Sequence, residues 1–236
     1  MSRPNTTLFM LMSVDGKINS GDTDLLDVDR DWKRIVGVKE GLSQYYDLEK
    51  QTDLVSFNTG RVMEKIGVND RADEPTKIPV SFVIVDNKPH LNERGIVYLT
   101  KWVEHLYLVT TNEQHPAFGL QDLHSNLKVI LYREKIDFKD LFEQLDQEFG
   151  MTNITIQSGG TMNAQLLRDG LIDHLSLVVA PLIVGGTKTS SIVGGESIHT
   201  AEELGKLVVL KLTQCNLLKD SYLHLCYDII PQTILD

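Results

Sequence analysis

The sequence predicts one α/β domain whose sheet is mostly parallel and ends in an antiparallel hairpin. Short apolar runs rich in β-branched residues alternate with segments that carry apolar residues at helical spacing. Two long apolar runs near the C-terminus are separated only by the polar tripeptide KDS, which is typical of a β-hairpin. No change of composition along the 236 residues indicates a second domain, so we expect a single domain over residues 1–236.

Nine runs predict strands, namely residues 6–14, 53–58, 79–86, 105–111, 127–132, 153–157, 173–184, 206–218 and 222–230. Helices are predicted over 29–50, 60–68 and 137–149, and over 162–170, after the glycine pair at 159–160 and closed by Gly170. The first of these helices would place Trp32, Ile35, Val36, Leu42 and Tyr46 on one stripe facing the sheet.

Composition narrows the class of protein. The net charge of −10 disfavours nucleic-acid binding, because phosphate contacts need clustered Lys and Arg side chains. No apolar run reaches the length of a membrane span or of a signal peptide, so we expect a cytoplasmic protein without membrane contact. The only two cysteines, Cys215 and Cys226, lie in apolar runs and are predicted to be buried, reduced strand residues.

The segment "QSGGTMNAQLL" is predicted to be a strand-to-helix junction that could bind an anion. Gly159 and Gly160 end a strand and precede a helix, where free N–H groups and the positive end of the helix dipole favour a phosphate. By itself this diglycine is more often only a tight turn.

A second junction, "SFNTGRVMEKI", strengthens the interpretation. It places Asn58, Thr59, Gly60 and Arg61 at the end of another strand, and a guanidinium grips phosphate bidentately. The alternative is a solvated arginine on an exposed helical turn. Two such junctions in one sheet indicate a ligand with two separate phosphate groups, such as NADPH.

The segments "TLFMLMSVDGKI", "FNTGRVMEKI", "QSGGTMNAQLLRDGLIDHLSLVVAPLIVGG" and "YLHLCYDI" resemble, in that order, the reductase domain of riboflavin biosynthesis. This is the C-terminal half of the riboflavin-specific deaminase/reductase, within the dihydrofolate-reductase-like superfamily. The resemblance covers nearly the whole chain. It implies a three-layer dihydrofolate-reductase-like fold, a homodimer, and NADPH-dependent reduction of a heterocyclic substrate that can carry a ribosyl phosphate.

The resemblance also implies roles for individual residues. The pyrophosphate of NADPH would bind at Gly159, Gly160 and Thr161, and the adenosine side at Thr59, Gly60 and Arg61. The nicotinamide would lie between the first strand, near Ser13, Asp15 and Lys17, and the strand that ends at Pro181, while Gly185 and Gly186 would shape the adjacent wall. The full set of expected cofactor-binding residues is Asn58, Thr59, Gly60, Arg61, Ser158, Gly159, Gly160, Thr161, Pro181 and Gly185.

Catalytic roles are expected for Asp15, as the acidic group near the nicotinamide, and for Lys17, as a cation for a phosphate on the substrate. The alternative is a plain Asp-Gly turn followed by an exposed lysine. No metal site is expected, because the seven histidines are scattered without HxH or HxxxH spacing.

The substrate stays open, because Ser158 stands where the family usually has a glutamate before the diglycine. Two alternatives therefore remain: a nucleotide-binding protein of the same fold without catalysis, and a dihydrofolate- or pteridine-type reductase. If the cofactor's phosphates contact the backbone at Gly160, we expect Gly160→Val to abolish binding and leave the protein folded, because the position is expected to face a cleft.

Overall fold

The structure, a computed structural model, describes residues 2–230. The strands in this range are β1 (Asn5–Ser13), β2 (Val55–Thr59), β3 (Ser81–Val85), β4 (Leu106–Thr110), β5 (Leu127–Leu131), β6 (Asn153–Ile156), β7 (His174–Ala180), β8 (Val209–Leu217) and β9 (Leu223–Ile230). The α-helices are α1 (Val28–Asp31), α2 (Ser43–Glu49), α3 (Gly60–Lys65), α4 (Glu93–Trp102), α5 (Ala117–Gln121), α6 (Phe138–Gln147) and α7 (Gly160–Arg168). Over residues 2–230, no helix is long and apolar enough to cross a membrane.

These elements group into two compact units, and each is described by itself. The first unit comprises the residues up to Pro4 and Asp53–Ser158, and the second comprises Asn5–Thr52 and the residues from Gly159 onward. A single domain over 1–236 stays a prediction.

The first unit is built on parallel strands in the order β5-β4-β3-β2-β6. One face of these strands, which includes Ile84 and Leu108, packs in a core with Ile96 and Leu99 of α4. On β2, Phe57 packs its ring against Phe142 of α6, with ring centroids 5.4 Å apart. Apolar residues of α6 at helical spacing explain this contact, since they place one stripe of the helix on the strands.

The second unit combines parallel and antiparallel pairing. β1 runs parallel to β7, with Leu11 opposite Val178, and β7 then pairs antiparallel with β9, and β9 with β8. The predicted C-terminal hairpin is therefore confirmed, as is the mixed, mostly parallel strand pattern. The hairpin turn between Leu217 and Leu223 contains Asp220 and Ser221, both with positive φ.

The core of the second unit lies on one face of β1 and β7. Phe9 and Val178 pack there against Trp32 and Tyr222, both of which are fully buried. The Tyr222 hydroxyl donates a hydrogen bond to the Val38 carbonyl at 2.7 Å, so the polar tip of this buried ring is satisfied.

The predicted helix over 29–50 is wrong as a continuous element. The segment forms α1, a 3-10 turn and then α2, and Gly37 between them has a φ of +87°, which a right-handed helix cannot include. Trp32 and Leu42 are buried as expected, but Ile35 and Val36 are 41% and 80% exposed. The apolar spacing therefore predicted the burial of Trp32 and Leu42 correctly, but not that of Ile35 and Val36.

The prediction that both cysteines are buried is also wrong. Cys215 and Cys226 are free thiols, and Cys215 is exposed while Cys226 is half-buried. Both lie in strands as expected, but β8 pairs only with β9, and most of its residues are exposed.

Candidate functional site

The junction between β6 and α7 begins with a glycine pair whose two members differ. Gly159 is the N-cap of α7, with φ −76° and ψ 160°, and a Cβ at this position would meet no atom within 4 Å. The first N–H groups of a helix have no acceptor within the helix, so this end of the nine-residue α7 offers donors suited to an anion.

Gly160 is buried against the protein's own backbone. A Cβ at this position would overlap the Ser191 carbonyl oxygen and lie 3.3 Å from the Gly194 nitrogen. The expectation that position 160 faces an open cleft is therefore wrong, because the loop after β7 packs directly on it. A glycine is needed here for a close approach between two backbone segments.

The loop that covers Gly160 is held from two sides. The Lys17 ammonium donates to the Thr189 carbonyl at 3.0 Å and to Ser191 Oγ at 3.1 Å. From the other side, the Gly194 N–H donates to the Gly160 carbonyl at 2.9 Å, and Asn163 of α7 donates its side-chain amide to the Ile192 carbonyl at 2.8 Å. Lys17 is thereby connected, through one loop, to the first turn of α7.

Asp15 fixes the start of the same loop. Its carboxylate accepts hydrogen bonds from Ser13 Oγ at 2.5 Å, from the Val184 N–H at 3.1 Å and from the Gly185 N–H at 2.7 Å. These bonds, that from Ser13 first, lower the pKa of Asp15 from 3.8 to about 2. The group is therefore ionised at neutral pH.

The second predicted junction, in the first unit, is formed at the end of β2. Thr59 is the N-cap of α3, Gly60 is buried and Arg61 is exposed on the first turn. Asn58 is buried, and its side-chain amide donates to Ser56 Oγ at 2.8 Å. At least one amide N–H of Asn58 is therefore used in a hydrogen bond within β2 and is not available to a ligand.

A residue that sequence analysis did not single out, Asp86, organises this junction. It directly follows β3, and its side chain is fully buried. A Cβ on Gly60 would overlap the Asp86 carboxyl group, so the start of α3 lies directly on this carboxylate. Because no other residue type fits there, Gly60 has a structural reason to be glycine.

Four N–H groups donate to the Asp86 carboxylate. Oδ1 accepts from the His90 N–H at 3.1 Å and from His90 Nδ1 at 2.9 Å, while Oδ2 accepts from the Leu91 N–H at 3.0 Å and from His115 Nε2 at 3.1 Å. Burial by itself raises the pKa of Asp86, but the hydrogen bonds from His115, Leu91 and His90 outweigh it and place the pKa below the ordinary value. Asp86 is a buried carboxylate anion that joins loops after three strands.

The remaining predicted residues have varied surroundings. Ser158 is 1% exposed, Thr161 is exposed on the first turn of α7, and Pro181 is half-buried immediately after β7. Gly185 has a φ of +72° and uses its N–H on Asp15. Within the second unit the structure thus brings together Asp15, Lys17, Gly160 and Gly185, while Asn58 to Arg61 form a separate group with Asp86 in the first unit. Their roles toward a cofactor or substrate stay predictions.

Among residues 2–230, no group of three or more His, Cys, Asp and Glu side chains is arranged to hold a metal ion. The Asp86 cluster contains two histidines, but His115 uses both ring nitrogens: Nε2 contacts Asp86, and Nδ1 accepts the Ala117 N–H at 3.2 Å. Spacing along the chain did not reveal this cluster, since Asp86 and His90 lie on the loop after β3 while His115 lies on the loop after β4.

Comparison with solved structures identifies the fold. The chain is similar to RibD of Acinetobacter baumannii, with a TM-score of 0.67 and 17% identity, over 97% of this chain and 58% of that one. It is also similar to a pyrimidine reductase-like protein of Corynebacterium diphtheriae, with a TM-score of 0.65 and 16% identity, over 96% of this chain and 92% of that one. The chain therefore shares the fold of these proteins, and the predicted α/β fold with a mostly parallel sheet and an antiparallel C-terminal hairpin is confirmed.

The family follows from the sequence matches. The model of the RibD C-terminal domain matches residues 4–223, and the chain belongs to this family. A curated relative is the 2,5-diamino-6-ribosylamino-4(3H)-pyrimidinone 5′-phosphate reductase of Methanothermobacter thermautotrophicus, 25% identical over 221 residues, which are 89% of this chain and 91% of that protein. The predicted reductase of the riboflavin-pathway type is confirmed.

Proposed function

We propose that this chain is an NADPH-dependent reductase that acts on a ribosylamino-pyrimidine 5′-phosphate or a closely related heterocycle. The observation that carries the proposal is the open position of Gly159 at the N-terminus of α7, in a chain that shares nearly its full length with a named pyrimidinone phosphate reductase. The cofactor supplies the hydride, and the protein binds, orients and excludes water.

In this proposal, Gly159 and Thr161 bind the pyrophosphate with backbone N–H groups, and Gly160 serves the site indirectly by letting the Ser191 loop pack beneath it. Thr59, Gly60 and Arg61 bind the adenosine side. Arg61 gives the preference for NADPH, because its guanidinium forms charge-assisted hydrogen bonds to a 2′-phosphate that NADH lacks.

Asp15 and Lys17 have a more limited range of roles than the sequence suggested. An ionised Asp15 does not donate a proton, so we assign it to holding the Val184–Gly185 segment in place. The Lys17 ammonium has three N–H groups, and the bonds to Thr189 and Ser191 use two of them within residues 2–230. The third is assigned to the phosphate of the substrate.

Arg61→Ala tests the cofactor assignment. A charge-assisted hydrogen bond contributes about 1.5–3 kcal/mol, so this variant should bind NADPH roughly ten- to a hundred-fold more weakly and bind NADH nearly as before. Equal losses for the two cofactors would show that Arg61 does not contact the 2′-phosphate.

Turnover tests the activity separately. Purified protein is incubated with NADPH and a panel of the ribosylamino-pyrimidine phosphate, a dihydropteridine and dihydrofolate, and oxidation of NADPH is followed by absorbance. Turnover of the first substrate supports the proposal, and turnover of another would assign a pteridine-type reductase. Because Ser158 replaces an acidic residue of the family, NADPH binding without any turnover would instead favour a nucleotide-binding protein.

We further propose a cytoplasmic homodimer that forms through one face of β8 and β9. In register, this face pairs Leu210 with Ile229, Leu212 with Tyr227, Cys215 with Leu225, and Leu217 with Leu223. On β8 it is exposed, with Leu212 at 50% and Leu217 at 80%. Such a contiguous apolar face indicates an interface.

The native thiols provide the test of the dimer. Cys215 lies on the proposed interface, whereas Cys226 pairs with Gln214 on the opposite face. A dimer by light scattering, in which Cys215 is protected from alkylation and becomes reactive in Leu212→Lys monomers, would support the assignment. A monomeric wild type would contradict it.

A further inference from the structure

The exposed histidine of the Asp86 cluster is chemically distinct from its buried neighbour. The side chain of His90 is 30% exposed, while those of Asp86 and His115 are fully buried. Because the Asp86 carboxylate is ionised, the proton between it and His90 lies on Nδ1 of the imidazole. The second ring nitrogen, Nε2, is therefore the one that remains for another partner.

The position of His90 connects it to Arg61. His90 Nδ1 contacts Oδ1 of the same Asp86 carboxyl group that a Cβ on Gly60 would overlap. The imidazole and the residue that precedes Arg61 thus both lie against this carboxyl group. The His90 N–H also donates to Oδ1, which fixes backbone and ring together.

The fixed orientation matters for binding. An imidazole held at Nδ1 by a buried carboxylate loses little conformational freedom when Nε2 meets a ligand. With its proton on Nδ1, the imidazole presents a lone pair at Nε2, so a contact with a phosphate consists of one proton shared between Nε2 and a phosphate oxygen. The ring also occupies one side of the buried Asp86 carboxylate, which would repel a phosphate in direct contact.

We propose that His90 is a specificity-determining residue that, together with Arg61, contacts the 2′-phosphate of the cofactor through Nε2. This inference rests on the proposed function, since it assumes that the adenosine side binds at the turn between β2 and α3. Asp86 is then a positioning residue that orients His90 and supports Gly60.

Two small nucleotides isolate the contact without any need for turnover. Adenosine 2′,5′-bisphosphate and adenosine 5′-monophosphate differ only in the 2′-phosphate, and their affinities for the full chain are measured by calorimetry. The variant His90→Asn keeps an amide N–H close to the position of Nδ1, so it preserves the bond to Asp86 and removes Nε2. We expect this variant to bind the bisphosphate about five- to tenfold more weakly and to bind the monophosphate with unchanged affinity.

Lys88 provides a matched control, because it is an exposed cation on the same loop, two residues from His90. Lys88→Ala should change the bisphosphate affinity less than about twofold, since a fully solvated charge is screened by salt. His90→Gln makes the opposite change. Its amide lies near the position of Nε2, and the hydrogen bond from Nδ1 to Asp86 is lost. It should retain more bisphosphate affinity than His90→Asn.

Three results would overturn the inference: equal affinity losses for both nucleotides in His90→Asn, an unchanged bisphosphate affinity in that variant, or a loss in Lys88→Ala as large as that in His90→Asn. Arg61→Ala distinguishes these failures from failure of the proposed function. If Arg61→Ala still lowers only the bisphosphate affinity, the cofactor placement stands and His90 alone is excluded. If neither variant changes the ratio of the two affinities, the 2′-phosphate does not bind at this turn.

Discussion

Replacing Gly160 by alanine tests whether the first diglycine serves the protein's own packing. The added Cβ would lie closer than 3.0 Å to the Ser191 carbonyl oxygen, a distance that real Cβ atoms do not adopt. The overlapping atom is backbone rather than the end of a flexible side chain, so no rotamer change relieves it. The Ser191 loop or α7 must therefore move, and ordinary contact at 3.4 Å requires a shift of about 1 Å.

The cost of this shift follows from the bonds that hold the loop. Movement strains the hydrogen bonds from Gly194 to Gly160, from Asn163 to Ile192 and from Lys17 to Ser191. Overpacking costs about 1–3 kcal/mol, and the strain on these three hydrogen bonds adds about 1 kcal/mol in total, so we expect a loss of about 2–4 kcal/mol in the free energy of unfolding. For a chain of this size the melting temperature should fall by roughly 4–16 °C.

Gly159→Ala is the matched control, because it makes the same chemical change one residue earlier, in open space and at an ordinary φ of −76°. Alanine is a poorer N-cap than glycine, so a loss of about 0.5–1 kcal/mol and a shift of roughly 3 °C or less are expected. Thermal melting by circular dichroism compares the two variants. Equal melting temperatures for Gly160→Ala and Gly159→Ala would refute the argument from close packing.

Two further predictions concern the carboxylates. The pKa of Asp15 is lowered to about 2, so its contribution to stability is complete above the ordinary value of 3.8 and is lost as the pH falls from about 4 to about 2. Asp15→Asn should therefore lower the melting temperature at pH 7 and reduce its dependence on pH in that window, and an unchanged dependence would contradict this role. Gly60→Ala should lower both the melting temperature and the affinity for NADPH, since the Asp86 carboxyl group is held by four hydrogen bonds and cannot rotate away. A variant that melts like wild type would show that the contact between Gly60 and Asp86 is not tight.

Local patterns predicted the regular elements well where one face of each element is apolar. The segment 137–149 has apolar residues at helical spacing, and α6 occupies Phe138–Gln147 behind the N-cap Asp137, whose carboxylate accepts from the Lys139 N–H at 3.0 Å. Sequence analysis overlooked α4, although Asn92 caps it and accepts from the Gly95 N–H at 2.9 Å. This capping signal was present in the sequence and could have located the helix.

The prediction of one continuous helix over residues 29–50 failed for a different reason. Apolar spacing continues through Ile35 and Val36, but the spacing of side chains carries no information on the φ of Gly37. A glycine within a helical pattern either remains helical at a small cost or breaks the helix, and tertiary contacts decide between the two. Here Trp32 and Leu42 are buried on either side of the break, so packing of these two residues outweighs continuity of the helix.

Chemistry that depends on residues far apart along the chain was the least predictable. Asp86 was read only as the last residue of a strand, and His90 and His115 as scattered histidines, because no motif of fixed spacing relates them. Parallel strands bring their carboxyl ends to the same edge of a sheet, and Asp86 and His115 follow the neighbouring strands β3 and β4. A search for polar residues at strand ends, rather than for spacing between histidines, would have identified the cluster.

The glycines of the two pairs are required for different physical reasons. The sequence suggested that the first pair seats a cofactor and that the second shapes a wall. In the structure Gly160 is required by the Ser191 carbonyl, while Gly159 is open, so only one member of the first pair is available to a ligand. In the second pair Gly185 and Gly186 both have positive φ, and the Gly185 N–H binds Asp15. Gly185 and Gly186 thus belong to the loop that follows β7, and Gly160 lets that loop pack on α7. A phosphate-binding role for the first pair therefore depends on Gly159 and the first turn of α7.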